Sequence, residues 1–174
     1  MVNEVFFFTE MGYTRYSQEV AAQYGYTNLM FPNENFSPEK AAELYSMYFD
    51  ELQHCSESGF DGVMINEHHN NPLSLMPSVN VIGAVLAKLT KQGKIVFLGN
   101  VLPIHDNPVR VAEEIAMIDM ISGGRVVCGF VRGIGQESMA TNTNPVFNRE
   151  RFAEAHDLII KTWTTPGPFR WEGK

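Results

Sequence analysis

The sequence predicts an α/β fold with a parallel sheet, because four short apolar segments alternate with longer segments of helical periodicity. An apolar strand followed by an amphipathic helix is the pattern of a βαβ unit, and the helices of such units are expected to cover both faces of the sheet. The crossovers are right-handed, so four units in series curve in one direction. This pattern fits half of an eight-stranded barrel or, alternatively, a small doubly wound sheet.

The predicted elements follow one another without a linker, so residues 1–174 are treated as a single domain. Strands are predicted at residues 5–8, 62–65, 95–98 with an extension to 103, and 126–131. Helices are predicted from Ser37–Pro38 to Gly59, from about Pro77 to Gly93, from Pro108 to Gly124, and from a cap at Asn148 to about Trp163. A polar loop is expected before the last helix, and a surface hairpin is expected to begin at residues 169–171.

Composition and charge exclude several classes of partner. The chain has 174 residues and a formal net charge of −7, which disfavours nucleic acid and anionic membranes as partners. No apolar run approaches the roughly 20 residues that a membrane helix needs. The N-terminus lacks the features of a signal peptide, so a cytoplasmic location is expected. Cys55 and Cys128 show no metal or redox spacing and are interpreted as reduced core cysteines.

The segment Asn66-Glu67-His68-His69 follows a predicted buried strand and marks a candidate site. Loops at the carboxyl ends of parallel strands converge, and imidazole changes its charge most easily near neutral pH. Neighbouring residues of an extended segment point to opposite sides, so at most one histidine is expected to face the site. The alternatives are structural histidines or a metal site, but adjacent histidines cannot easily bind one ion, and no metal is predicted.

Gly99 and Asn100 interrupt the third predicted strand. One interpretation is a bulge or a glycine tolerated near the strand end. The other is that the glycine lets a flat ligand approach the backbone while the asparagine amide forms hydrogen bonds with it. Both interpretations stay open.

Arg132-Gly133-Ile134-Gly135 follows the fourth predicted strand. An arginine among glycines at a strand exit can bind a phosphate bidentately, with help from loop amides. The alternative is a solvated loop arginine beside turn glycines. The full Gly-x-Gly-x-x-Gly spacing of a dinucleotide site is absent.

Four blocks, taken in order, resemble the bacterial luciferase-like family of flavin-dependent monooxygenases. They are Gly59–Val63 continuing to Glu67-His68-His69, Val101-Leu102-Pro103 with Asn107–Arg110, Asp119–Arg125, and Gly129–Gly133. The resemblance implies a (β/α)8 barrel of the TIM-barrel type, with about the first four strand–helix units in this chain. An insert at about residues 10–36 follows the first strand and is expected over the mouth of the substrate pocket.

The resemblance also implies the cofactors and the site residues. It implies reduced FMN, molecular oxygen and a small organic substrate, with His68 as the catalytic histidine that assists proton movement. The cofactor-binding residues would be Gly99, Asn100, Val131 and Arg132, with the arginine at the flavin phosphate and a non-proline cis peptide often present beside the glycine. Glu67 and His69 are assigned to the substrate pocket.

Other implications concern partners and departures from the family pattern. A flavin reductase would supply reduced flavin, and a homo- or heterodimer is expected. Val131 stands where luciferase has a reactive cysteine, so light emission is not implied. The later strands of the family, which also contact FMN, lie outside this chain.

Three rival functions remain. A deazaflavin-dependent hydride-transfer enzyme would use the same pocket without oxygen. A flavin-binding subunit or fragment without catalysis belongs to a different class. A metal-dependent barrel hydrolase would use His68, His69, Glu67, His105 and Asp106 as ligands.

Overall fold

A computed structural model of the chain describes residues 3–24 and 29–173. The strands are β1 (Phe6–Phe8), β2 (Gly62–Ile65), β3 (Lys94–Val101) and β4 (Val126–Val131). The α-helices are α1 (Gln18–Tyr24), α2 (Pro38–Glu57), α3 (Val79–Leu89), α4 (Pro108–Ser122), α5 (Gly135–Ala140) and α6 (Asn148–Thr164). Short 3-10 helices lie at Asn33–Asn35, Leu102–Ile104 and Pro145–Phe147.

The four strands form one parallel sheet in the order β1-β2-β3-β4. Each strand is joined to its neighbour by a connection that contains a helix, as the predicted βαβ units require. The register sets Phe8, Met64, Val96 and Val127 side by side across the sheet. Parallel pairing and the positions of β2 and β4 agree with the prediction from sequence.

The helices cover one face of the sheet, which corrects the expectation of two covered faces. Strand residues such as Val63 and Phe97 form one core cluster with residues from α2, α3, α4 and α6. The other face carries Phe8, Leu98 and Val127, whose exposures are 41%, 40% and 44%. One covered face and one apolar open face fit part of a barrel, whose interior is lined by apolar strand residues, and not a doubly wound sheet.

Capping residues fix where the helices begin. The side chain of Ser37 accepts a hydrogen bond from Lys40 N at 3.2 Å, and that of Asn107 accepts one from Val109 N at 3.1 Å. Gly123 ends α4 in the left-handed conformation, with φ 75°.

The end of the chain differs from the sequence prediction at three points. Asn148 is the first residue of α6 and not its cap, and its side chain donates a hydrogen bond to Ser138 Oγ at 2.8 Å. The expected polar loop contains helix α5. Residues 169–173 form no strand, so the expected hairpin is absent from the described part of the chain.

The insert packs against the start of α2 and the loop after β2. Tyr13 is buried in a second small core with Ala41, Leu44 and Leu75. The Tyr13 hydroxyl donates to Asn35 O and accepts from Ser37 N at 2.9 Å, which ties the two ends of the insert together. The insert therefore has a defined place on the barrel framework, although its residues 25–28 lie outside the described residues.

Both cysteines are free, as predicted. Burial raises the pKa of the Cys55 thiol and raises that of Cys128 to about 12, so both thiols are neutral at ordinary pH. Within residues 3–24 and 29–173, none of the helices has the length and apolarity that a bilayer span requires.

Candidate functional site

The carboxyl ends of β2, β3 and β4 surround a cavity of about 370 Å³. We call it the charged cavity, since Glu67, His68, Arg132 and Glu137 lie in its wall together with the apolar side chains of Leu98, Val101 and Val131. Five of the seven site residues predicted from sequence line this cavity: Glu67, His68, Gly99, Val131 and Arg132. The position agrees with the rule that sites in α/β folds lie at the strand ends.

His68 lies between two carboxylates. Its Nδ1 is 3.0 Å from Glu137 Oε1, and its Nε2 is 3.5 Å from Glu10 Oε2. Because a carboxylate only accepts hydrogen bonds, the short contact places the imidazole hydrogen on Nδ1. Nε2 is then the nitrogen that can take up or release a proton.

Glu137 holds this arrangement from the interior. The residue is 1% exposed, and its Oε2 accepts a hydrogen bond from Ile134 N at 2.8 Å. One carboxylate thus fixes both the imidazole of His68 and the loop that carries Arg132. A buried carboxylate is stable only when its oxygens have such partners.

Glu67 and His69 form a separate pair. Glu67 is buried, and its Oε1 lies 3.2 Å from His69 Nε2 and 3.9 Å from His105 Nε2. His69 lines neither the charged cavity nor the second cavity described below. The assignment of His69 to the substrate pocket gains no support from these two cavities and stays a prediction. Only one of the two adjacent histidines faces a cavity, as the extended backbone predicts.

Gly99 lies in a β-bulge of β3, with φ 153°. A Cβ at this position would lie 2.5 Å from Val131 Cγ1, so the glycine is required by the close approach of β4. Val131 thus occupies the space that the sequence interpretation left for a ligand. The expectation of a non-proline cis peptide beside Gly99 is wrong, since the described residues contain a cis bond only at Gly167–Pro168.

Asn100 is fully buried and does not line the charged cavity. Its side-chain oxygen and nitrogen have no hydrogen-bond partner among the described residues. The structure places Asn100 outside the wall of the charged cavity, and its part in cofactor binding stays a prediction.

Arg132 is exposed at the rim of the charged cavity and has no hydrogen bond or ion pair within the described residues. Gly133, which follows it, is left-handed with φ 70° and lets the loop turn sharply. An unpaired guanidinium at a cavity rim can bind a phosphate or carboxylate bidentately.

A second cavity, of about 600 Å³, lies between the insert and the loop after β2. We call it the aromatic cavity, because Tyr13, Phe31, Phe36 and Tyr45 lie in its wall. His68 belongs to the walls of both cavities. The two cavities therefore share this residue.

Sequence reasoning missed two residues that contribute to the site, Glu10 and Glu137, and gave Asn66 no role of its own within the candidate segment. Asn66 Nδ2 donates to Glu10 Oε2 at 2.6 Å, and Asn66 Oδ1 is buried without a partner among the described residues. Glu10 stands just after β1, so the strand-end rule applied to Glu67 would have found it. Glu137 carried only the weak signal of an acidic residue three positions after a turn.

Metal binding has no support from the geometry of the described residues. Within residues 3–24 and 29–173, no group of three or more His, Cys, Asp or Glu side chains is arranged to hold an ion. Of the ligands proposed for a barrel hydrolase, His68 pairs with Glu137, His69 and His105 lie near Glu67, and Asp106 pairs with Arg151.

Comparisons with known proteins agree with the resemblance drawn from sequence. The sequence model of the family described as luciferase-like monooxygenase matches residues 19–174. The alkanal monooxygenase beta chain of Vibrio harveyi is 27% identical over 138 residues, which is 79% of this chain and 42% of that protein. The chain thus spans about two-fifths of the length of this relative.

Two solved structures show the same fold. One is a type II Baeyer–Villiger monooxygenase in complex with FMN, the oxygenating constituent of 3,6-diketocamphane monooxygenase from the CAM plasmid of Pseudomonas putida. Its TM-score is 0.74 at 21% identity, and the match covers 100% of this chain and 42% of the solved one. The other is an F420-dependent secondary alcohol dehydrogenase in complex with an F420-acetone adduct, with a TM-score of 0.69 at 18% identity, covering 99% and 46%. These likenesses confirm the predicted fold class, an α/β fold of the (β/α)8 barrel type with about four units present.

Proposed function

Because the chain belongs to the luciferase-like monooxygenase family, we propose that it carries the flavin-binding and catalytic elements of a flavin-dependent monooxygenase. The observation that supports this most directly is the position of His68. Its imidazole is held by the buried Glu137 and borders a cavity whose rim presents the unpaired Arg132. This arrangement combines a group that can transfer a proton with a cation that can bind phosphate.

The residues of the charged cavity fit FMN. Arg132 is a partner for a phosphate, and Leu98, Val101 and Val131 give an apolar surface for a flat ring. The buried and unpaired Asn66 Oδ1 gives an acceptor for a ring N–H, since a buried polar atom is stabilised by a partner. The FMN complex of the diketocamphane monooxygenase component supports the same assignment.

The contribution of His68 follows from its hydrogen bonds. When bound, reduced FMN would supply the two electrons and two hydrogens needed for one atom of O2 to become water while the other enters the substrate. Nδ1 of His68 stays bonded to Glu137, so Nε2 accepts or donates the proton that the reaction moves. Glu67, buried beside the cavity, holds His69 in place and out of the cavity.

A deazaflavin-dependent hydride transfer is the second candidate. The F420-dependent secondary alcohol dehydrogenase has the same fold, and Arg132 would equally suit a phosphate of that cofactor. The two candidates differ in their need for oxygen, because hydride transfer proceeds without it.

Partners follow from the proposed reaction. A flavin reductase would supply reduced FMN, and pairing with a second chain is supported by the relative that is itself named as a beta chain. Helix α4 exposes the apolar side chains of Met117, Met120 and Ile121, which suit such a contact.

The proposal is tested with the purified chain, a flavin reductase, and isotopically labelled O2, with decanal and 2-naphthol as candidate substrates. We expect FMN to bind and the label to appear in an oxidised product. His68→Ala should lower label incorporation about 10²-fold or more while FMN affinity stays the same, because the imidazole moves protons and does not hold the phosphate.

His54→Ala is the matched control, since His54 is an exposed histidine of α2 outside both cavities. It should leave label incorporation unchanged. Absence of FMN binding, or full turnover by His68→Ala, would overturn the proposal. Oxidation of a secondary alcohol with F420 under nitrogen would favour the hydride-transfer candidate.

A further inference from the structure

We propose that the aromatic cavity binds an uncharged aromatic compound, and that this compound is the substrate. The assignment rests on the proposed function, because it requires a reaction at His68. Its own basis is the composition of the cavity wall and the state of the polar groups in that wall.

The position of the aromatic cavity suits a substrate. His68 lies in its wall and in the wall of the charged cavity, and its side chain is 25% exposed. A compound in the aromatic cavity would therefore lie against His68, the residue that also borders the proposed flavin site. A volume of about 600 Å³ is within the range of about 300 to 1,000 Å³ that is usual for small-molecule pockets.

The wall of the aromatic cavity carries no formal charge apart from what His68 can take up. Among the described residues that line it, none is Asp, Glu, Lys or Arg. A charged ligand that enters this cavity would lose its hydration and would find no counter-ion in the wall. That transfer costs free energy, so the ligand should be neutral.

Most polar groups of the wall are already bonded to the backbone. The hydroxyl of Tyr45 donates to Leu75 O, and that of Tyr13 donates to Asn35 O at 3.3 Å. Asn71 donates to His69 O at 2.8 Å, and Ser74 Oγ accepts from Met76 N at 3.0 Å. These groups fix the wall and leave ring faces and edges for the ligand.

Aromatic side chains in the wall favour a ring. The rings of Tyr13 and Phe36 lie 5.1 Å apart between centroids, with an interplanar angle of 39°. Phe31 lies 4.9 Å from Tyr16 in an edge-on arrangement, which fixes its orientation at the cavity. Rings held in this way can accept a further ring in edge-to-face or offset contact.

Two side chains of the wall remain available for hydrogen bonds. The side-chain amides of Asn33 and Asn70 form no hydrogen bond within the part of the chain that the structure describes. They can bind one hydroxyl or carbonyl group of a ligand. The geometry points to a neutral aromatic alcohol or aldehyde.

The test measures binding of 2-naphthol to the purified chain by calorimetry, with 2-naphthoate as the charged ligand of the same ring size. We expect 2-naphthol to bind at least about tenfold more tightly, because only the carboxylate must lose its hydration. Phe36→Ala should weaken 2-naphthol binding about three- to tenfold through loss of one ring contact. Phe31→Leu should act in the same direction.

Phe147→Ala is the matched control, since Phe147 is 51% exposed, comparable to the 45% of Phe36, and lies outside both cavities. It should leave 2-naphthol binding unchanged. Equal affinity for 2-naphthoate, or no effect of both Phe36→Ala and Phe31→Leu in folded protein, would overturn the assignment.

An FMN titration of the same samples separates this inference from the proposed function. FMN affinity should be the same in Phe36→Ala and in the unmodified chain. If FMN fails to bind while 2-naphthol follows the expected pattern, the proposed function falls and the ligand class of the aromatic cavity stands. If FMN binds and 2-naphthol does not, the reverse holds.

Discussion

The charged cavity and the aromatic cavity differ in how their polar groups are used. In the charged cavity, Arg132 and Asn66 Oδ1 have no partner within the described residues and are available to a ligand. In the aromatic cavity, the hydroxyls of Tyr13 and Tyr45 are bonded to the backbone. We therefore expect the first cavity to bind mainly by charge and hydrogen bonds. The second should bind mainly by shape and apolar contact, with the side-chain amides of Asn33 and Asn70 left for one polar group of the ligand.

The two cavities also differ in origin. The charged cavity is formed at the carboxyl ends of β2, β3 and β4, on the framework that the barrel itself provides. The aromatic cavity depends on residues of the insert, including Tyr13, Phe31 and Phe36. In the proposed reaction, residues at the strand ends carry out the chemistry and residues of the insert select the substrate.

The largest expected effect on ligand binding is that of Arg132→Gln in the charged cavity. Among the described residues, Arg132 is the only arginine that lines this cavity. Its removal should weaken FMN binding about ten- to a hundredfold, because a charge-assisted hydrogen bond contributes about 1.5 to 3 kcal/mol. Riboflavin, which lacks the phosphate, should lose little affinity. Titration of both flavins by fluorescence measures the difference, and 2-naphthol binding should not change.

Arg170→Gln serves as its control, since Arg170 is an exposed arginine paired with Glu172 outside the charged cavity. FMN binding should be unaffected in Arg170→Gln. If riboflavin and FMN weakened equally in Arg132→Gln, the phosphate would not be the partner of this arginine, and the contrast between the cavities would lose its electrostatic basis.

A smaller effect is expected from Glu137→Gln. The amide cannot accept hydrogen bonds from both His68 Nδ1 and Ile134 N, so the imidazole loses its fixed tautomer. We expect about a tenfold loss of turnover with FMN affinity reduced less than Arg132→Gln reduces it. Nitrogen NMR of His68 provides the direct measurement.

In the unmodified chain the spectrum should show hydrogen on Nδ1, and in Glu137→Gln it should show a mixture of tautomers. A purely structural role would lower stability without altering the tautomer. An unchanged histidine spectrum would therefore remove Glu137 as the residue that positions His68.

The elements of the fold were predictable because their signals are local. The bounds of β2 and β4 follow from short apolar runs, and the start of α2 follows from Ser37 and Pro38. The open face of the sheet was not predictable, since Phe8 and Val127 have the same apolar character as strand residues that are buried. The sequence pattern identifies apolar strand residues, but it does not show whether another element packs on them.

The candidate site was predictable only where its residues follow strands directly. His68 and Arg132 have that position, so their place in the charged cavity could be read from the chain. Glu137 lies 69 residues from His68 and looks like part of a polar loop, so its contact depends on the folded β4–α5 connection. The aromatic cavity likewise depends on contacts between the insert and the loop after β2.

The smallest expected effect is that of Tyr45→Phe, which separates the aromatic cavity from general stability. Its hydroxyl donates to Leu75 O, and burial raises the pKa of this phenol, so the group is a neutral donor at ordinary pH. Removing it should lower the free energy of unfolding by about 1 kcal/mol and weaken 2-naphthol binding about twofold, because the wall at Leu75 is less firmly held. Tyr48→Phe loses the comparable bond to Gly12 O, 2.8 Å long, from a residue outside the aromatic cavity. Urea unfolding should therefore show a similar loss of the free energy of unfolding in both variants, while only Tyr45→Phe alters 2-naphthol binding. If both variants altered 2-naphthol binding equally, the wall of the aromatic cavity would respond to global stability and not to its own hydrogen bonds.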